Sequence, residues 1–271
     1  MSEPPSPRAV LVAYLQVVLA GTLWATSGPF SIAFFRMGIP PESVAILRPA
    51  SGTVFILLLV LWKAPGGLRL PRRLWLPVLG FGGLVVGVFQ LAYQMSTERV
   101  GVAATVALLY LAPAWVVACS RFLFGELLSP ARVGLALLSV AGVWLTVFGA
   151  RGVDVDLTVA GILWGCLCGI TYGTYAMFGK YWGPSMGALA PLFWSTVGGT
   201  ALLSLAWAVR GEAVVLPHTP GGWGLLGVFG FLTMAAAPLL LFNAMKTLEA
   251  GRAAIGTTVE AFVAALLALV L

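Results

Sequence analysis

Two charged residues stand inside apolar runs of this sequence, and they are the places where chemistry would be done. Glu260 lies about nine residues into the stretch 251–271, roughly 13 Å deep at a rise of about 1.5 Å per residue. A carboxylate at that depth is costly and faces either a partner or a water-filled cavity. It suits the holding of a proton or of a substrate ammonium. The plainer reading is a protonated carboxyl bonded to a neighbouring helix. Arg48 lies about six residues from the nearer end of the stretch 42–62. Its long stem lets the guanidinium snorkel to that end and pair with Glu42 or another end group. The functional alternative is contact with a substrate carboxylate.

Uncharged polar groups add to these. Gln90, Gln94 and Asn243 fall in the third and eighth apolar stretches, where they could bond a zwitterion or one another. The chain has 10 Trp, 15 Phe and 6 Tyr. Trp62, Trp75, Trp182, Trp207 and Trp223 sit at the ends of apolar stretches and fit an interfacial belt. Trp164, Tyr172 and Tyr175 are spaced eight and three apart, close to one helix face. With Tyr93 and Tyr110 they would line a cavity that holds planar side chains by stacking or cations by cation–π attraction. Core packing accounts for each ring taken singly.

Other chemistries lack their residues. Asp154 and Asp156 are the one acidic pair, in a short loop with no second set. His218 is the single histidine and stands in another loop, so neither a Ser-His pair nor a metal site with Cys166 and Cys168 is supported. Those two cysteines and Cys119 read as small packing groups. Lys180 and Lys246 lie at span ends, away from where a Schiff-base pigment would need them. No Gly-x-x-x-x-Gly-Lys-Ser/Thr loop is present to bind ATP, and no other cofactor is called for. An intramembrane enzyme is therefore the distant alternative.

The elements that must position these groups follow from composition. Hydrophobic residues make up 60% of the 271 positions and charged residues 9%, with a mean hydropathy of +1.01. A soluble domain carries about 25% charged residues. So apolar a chain needs lipid around it, and in lipid the backbone must satisfy itself as helices or a closed barrel. The apolar runs last about 20 residues without alternation, the length of a helix crossing a hydrocarbon core of about 30 Å. Nine spans are predicted near 10–35, 42–62, 74–97, 101–124, 130–149, 157–181, 186–209, 222–247 and 251–271. Breaks or kinks are expected near Gly28-Pro29 and at Pro113 and Pro238. The first span is too long, and lacks the cleavage site, for a signal peptide. With the N-terminus in the cytoplasm, ten of the fifteen Lys and Arg fall at cytoplasmic ends and four at the other side. The positive-inside rule thus predicts that orientation. It also explains the net charge of +6 without a nucleic-acid partner.

An internal repeat organises the spans. Ala20-Gly21-Thr22-Leu23-Trp24 matches Ala160-Gly161-Ile162-Leu163-Trp164 at an offset of 140. Met95-Ser96-Thr97 matches Met245-Lys246-Thr247, and Gly101-Val102-Ala103-Ala104 matches Gly251-Arg252-Ala253-Ala254, at an offset of 150. The unit is five helices, and an odd count inverts the second copy. The expectation is an all-α integral membrane protein of two inverted five-helix repeats, 10–149 and 157–271. Ten helices are expected and nine are present, the second repeat ending after its fourth. Inverted repeats are a recurring transporter device, with the substrate site between them near the midplane. By this register Glu260 stands opposite Tyr110.

The sequence resembles the drug/metabolite transporter superfamily, in particular its ten-helix EamA-type exporters. The resemblance rests on Trp24 and its mate Trp164, on Leu47-Arg48-Pro49, on Gly101 to Pro113, and on Gly125-Glu126 with Gly134 and Gly142. A second such proline is absent, Val263 standing opposite Pro113. The resemblance implies a secondary transporter of the bacterial-type inner membrane working by alternating access. Its cavity would be lined by helices one, three, four, six, eight and nine, with protons coupled through Glu260. In general character the chain is similar to aromatic amino acid exporters, so export of small metabolites, amino acids and aromatic ones foremost, is implied. Efflux of lipophilic cations by the same fold is the alternative.

Overall fold

The computed structural model describes residues 6–125, 127, 129–149 and 158–270. Within them every spanning segment is helical, as lipid demands of a backbone with no other partner for its N–H and C=O groups, and the connections between spans are irregular. Asp154, Asp156, Arg151 and Glu126 lie outside the described residues.

The first span is α1 (Pro7–Ala25) followed by α2 (Ser27–Arg36), and the second is α3 (Pro41–Lys63). The third begins as a π-helical segment, Trp75–Phe81, and runs into α4 (Gly82–Leu109). Gly101, at φ 77°, interrupts α4 where the third span is expected to end and the fourth to begin. That positive φ is open to glycine at little cost. The fourth span continues through α5 (Leu111–Phe124), and α6 (Pro130–Gly149) completes the first half. The second half runs α7 (Val159–Met186), α8 (Leu189–Val209), α9 (Pro220–Gly230), a π segment (Phe231–Ala236), α10 (Ala237–Ala244), α11 (Ala250–Gly256) and α12 (Val259–Val270). Each of the nine expected spans coincides with a helical stretch among the described residues. Six of those stretches are long and apolar enough to cross a membrane, and one of them, Arg72–Phe124, has 53 residues and the length for two crossings. The protein is a multi-pass membrane protein of two inverted halves.

Breaks follow a local rule. Proline has no N–H for the carbonyl four residues back and crowds it. The first span breaks at Thr26, three residues before Pro29, and the fourth at Tyr110, three residues before Pro113. The break thus precedes the Gly28-Pro29 pair that predicts it. Pro238 is the second residue of α10, the helix that follows the π segment of the eighth span. The ninth span breaks at Thr257 and Thr258 with no proline. Their hydroxyls donate to the carbonyls of Ala254 (2.8 Å) and Ile255 (2.7 Å), a back-bonding that bends helices.

The halves cross over one another. The first span packs against α10, α11 and α12 of the other half, and α7 packs against α4 and α5. Small residues allow this closeness. A Cβ at Gly83 would lie 2.6 Å from the backbone carbon of Gly198, and one at Gly198 only 2.1 Å from the Leu79 carbonyl oxygen. Backbones thus touch between the third and seventh spans. Gly87 faces Gly199 in the same seam, whereas Gly80, on the same stripe, meets only its own helix.

Candidate functional site

The breaks and the π segments gather polar side chains at one level of the bundle. Arg48, on α3, is 1% exposed. Its Nε donates to the Thr233 hydroxyl at 2.9 Å, and one terminal nitrogen, Nη2, donates to the Ser27 hydroxyl at 3.0 Å. The guanidinium carbon sits 4.8 Å from the centre of the Phe229 ring and 5.6 Å from that of Tyr93. The snorkelling expected of Arg48, and its pairing with Glu42, are therefore corrected. The end of α3 is enclosed by other helices, so the short route to a partner runs inward.

Thr233 is the hub of this arrangement. It lies in the π segment Phe231–Ala236, where a wider turn displaces groups from the regular ladder. Its hydroxyl donates to the Phe229 carbonyl (2.7 Å) while accepting from Arg48, and its carbonyl accepts from the Trp24 indole Nε1 (2.8 Å). The next residue, Met234, takes the Gln90 amide Nε2 on its sulfur at 2.9 Å. Three helices of the first half are thus tied to one turn of the second. Sequence reasoning missed Thr233, because a lone threonine in an apolar run is ordinary. Gln90 was legible only as a buried amide.

Glu260 is 2% exposed and is the second residue of α12, the helix that follows the ninth-span break. Its carboxylate is within electrostatic reach of Arg48, Tyr93, Tyr110, Cys168 and Tyr172. The fourth span breaks at Tyr110 and the ninth at Thr257, three residues before Glu260. The Tyr93, Tyr110 and Tyr172 hydroxyls come near Thr97, the Ala261 backbone and Thr257, but none of these pairs closes to hydrogen-bonding geometry.

That leaves an unusual inventory. Among the described residues, Arg48 Nη1, Glu260 Oε2, both amide atoms of Gln94, Gln90 Oε1, and the hydroxyls of Tyr93, Tyr110, Tyr172, Tyr175 and Thr97 are buried without a hydrogen-bond partner. Each such atom costs about 1–3 kcal/mol. Native interiors hold few of them. Apolar replacements would serve a packing core better, so the layer exists to meet something polar.

A cavity of about 20 Å³ lies beside it, bounded by Trp24, Arg48, Phe89, Tyr172, Tyr175 and Thr233 among others. That is room for one water. Tyr172 stacks on Phe89 at 5.7 Å and meets Trp24 edge-on at 5.4 Å. Of the residues expected at a substrate site, Tyr172 and Tyr175 bound this cavity, as Arg48 also does, and Tyr93, Gln94, Tyr110 and Glu260 are buried. Trp164 and Asn243 are half-buried and do not bound the cavity.

Beyond this layer the two faces differ. On the face carrying the N-terminus, the Lys180 Nζ donates to the carbonyls of Met245 (3.0 Å) and Leu248 (2.5 Å), clasping α7 to the turn after α10. Gly173, on α7, lies close against Trp115 and Val116 there. On the opposite face Pro40 and Glu98 bound an open vestibule of about 320 Å³ with Ile32, Phe35, Gly38 and Thr97.

Two inverted halves that meet across a buried polar layer are the architecture of a membrane transporter. The family model for EamA-like transporters matches residues 11–148 and again residues 159–271. The chain belongs to the EamA-like transporter family. A crystal structure of a protein with 22% identity superposes with a TM-score of 0.75, covering 98% of this chain and 88% of that one, and it shares the fold. No curated protein matches the chain.

Proposed function

We propose that this protein is a secondary transporter exporting small metabolites, amino acids and aromatic ones foremost, by alternating access at the interface of its halves. The observation that carries this reading is the buried layer in which one guanidinium, one carboxylate and four tyrosine hydroxyls hold unpartnered atoms beside an aromatic-walled cavity. A packed core has no use for that set, and a small polar solute with a planar side chain does. A cavity of one-water size must widen for the solute to pass. The excess of Lys and Arg on one side supports an N-terminal face in the cytoplasm, and the membrane of this reading is a bacterial-type inner one. No residue is assigned a catalytic role, and Glu260 is the site of proton coupling.

Counterflow in proteoliposomes tests the reading. Vesicles holding the protein are loaded with one unlabelled solute from a panel of aromatic, branched and small amino acids and one lipophilic cation, and uptake of its labelled form is followed. Saturable exchange of aromatic amino acids is expected. Exchange of the cation alone would move the protein to drug efflux, with Glu260 as counter-charge.

A further inference from the structure

We propose that the buried layer is a two-pole receptor for a zwitterion, in which Arg48 Nη1 takes a substrate carboxylate oxygen, Glu260 takes the ammonium, and Thr233 and Ser27 are the residues that aim the guanidinium. This rests on the transporter reading above and specifies its substrate class.

A guanidinium has five N–H donors on three nitrogens in a fixed plane. At Arg48, Nε is held by Thr233 and Nη2 by Ser27, on two different elements. Both ring faces near it, Phe229 and Tyr93, pack against the head group. The plane is therefore fixed in all directions, and Nη1 is left over, buried and without an acceptor among the described residues. An arginine needed only for structure would present no such remainder. The group also bounds the cavity. What answers a buried, oriented N–H of a guanidinium is an anionic oxygen, and a carboxylate is the anion with one to offer at modest size. Glu260 lies within electrostatic reach of the same guanidinium but is not bonded to it, and its own Oε2 is unpartnered. A guanidinium and a carboxyl that are both incompletely bonded in a dry interior are costly. A solute carrying both charges relieves both poles at once, whereas a lipophilic cation leaves Arg48 unanswered and repelled. The aromatic wall of Phe89, Trp24 and Tyr172 is then the place for the side chain.

The test uses ligands first, so that it does not depend on a variant folding. Competition against counterflow is measured with phenylalanine, phenethylamine, which lacks the carboxylate, and 3-phenylpropionate, which lacks the ammonium. Each truncated ligand should compete about 10- to 100-fold less well than the amino acid. In Arg48→Gln the advantage of phenylalanine over phenethylamine should vanish, and in Glu260→Gln its advantage over phenylpropionate. Thr233→Val keeps Arg48 but frees its Nε. It should weaken phenylalanine while leaving phenethylamine unchanged, a split that a merely destabilised protein would not give. Leucine obeying the same double requirement would support the two poles and remove the aromatic preference. Equal competition by phenylalanine and phenethylamine in the unaltered protein would overturn the Arg48 pole while the transporter reading stands. Exchange of no amino acid would overturn the reading itself.

Discussion

An orphaned hydroxyl gives a test that separates binding from packing. Tyr110 and Tyr172 bury their hydroxyls unbonded, so Tyr110→Phe and Tyr172→Phe remove a desolvation cost of about 1–3 kcal/mol and leave the ring in place. Melting temperature in detergent should hold or rise in both, while the KM for the transported solute rises. A fall in melting temperature would show the hydroxyls to be structural. Trp24 is the contrast, since its indole N–H is bonded to the Thr233 carbonyl. Trp24→Phe should lower stability by about 0.5–1.5 kcal/mol, read from the same melting curves. For Glu260→Gln the expected outcome is transport with no pH-dependent component, measured as initial rate from pH 5 to 8. A pH profile like that of the unaltered protein would remove proton coupling through this carboxyl. The charged pair was legible in the sequence because a charge in an apolar run announces itself by its cost. Thr233 was not, because its role arises from three partners on distant helices and a π turn that no residue pattern encodes. Asn243 and Trp164 have the polarity and spacing expected of such a site, but each is only half enclosed and neither bounds the cavity.

Prolines made two of the three span breaks readable, and the physical rule that a break falls at the residue three before the proline holds for Pro29 and Pro113 alike. Pro49 and Pro184 sit inside α3 and α7 without ending them, so composition alone overstates the rule. The ninth-span break depends on hydroxyls of Thr257 and Thr258 turned back on their own helix, and threonines in most helices leave them straight. The third and seventh spans meet where Gly83 and Gly198 allow backbones to touch. Gly198→Val should displace α8 from the third span, since the obstacle is a carbonyl oxygen and not a side chain that could turn away. Overpacking of that kind costs about 1–3 kcal/mol, and the melting temperature should fall by roughly 2–10 °C. An unchanged value would mean that the seam is looser than its glycines suggest.

At the scale of the whole molecule the repeat was legible from short matches, and with it the two-halved fold. The contact of Lys180 with the Met245 and Leu248 carbonyls was not, because its partners lie 65 and 68 residues further along the chain. Lys180→Met should loosen the N-terminal face. A cysteine placed at Ala254, beside the inner end of the pathway, should then react faster with a membrane-impermeant maleimide applied from that face, by about tenfold or more. No change in that rate would show the clasp to be incidental.

The clasp also has a kinetic meaning. Hydrogen bonds from a charged donor are worth about 1.5–3 kcal/mol each, and every 1.4 kcal/mol is a tenfold ratio of states. On the proposed alternating-access cycle, two of them would hold the carrier in one posture for most of its resting time. Detailed balance forbids such a bias from choosing the direction of net flux, which belongs to the solute and proton gradients alone. What it chooses is the half of the cycle that is slow: the return through the unclasped posture becomes the step that limits turnover, and Lys180 its timer.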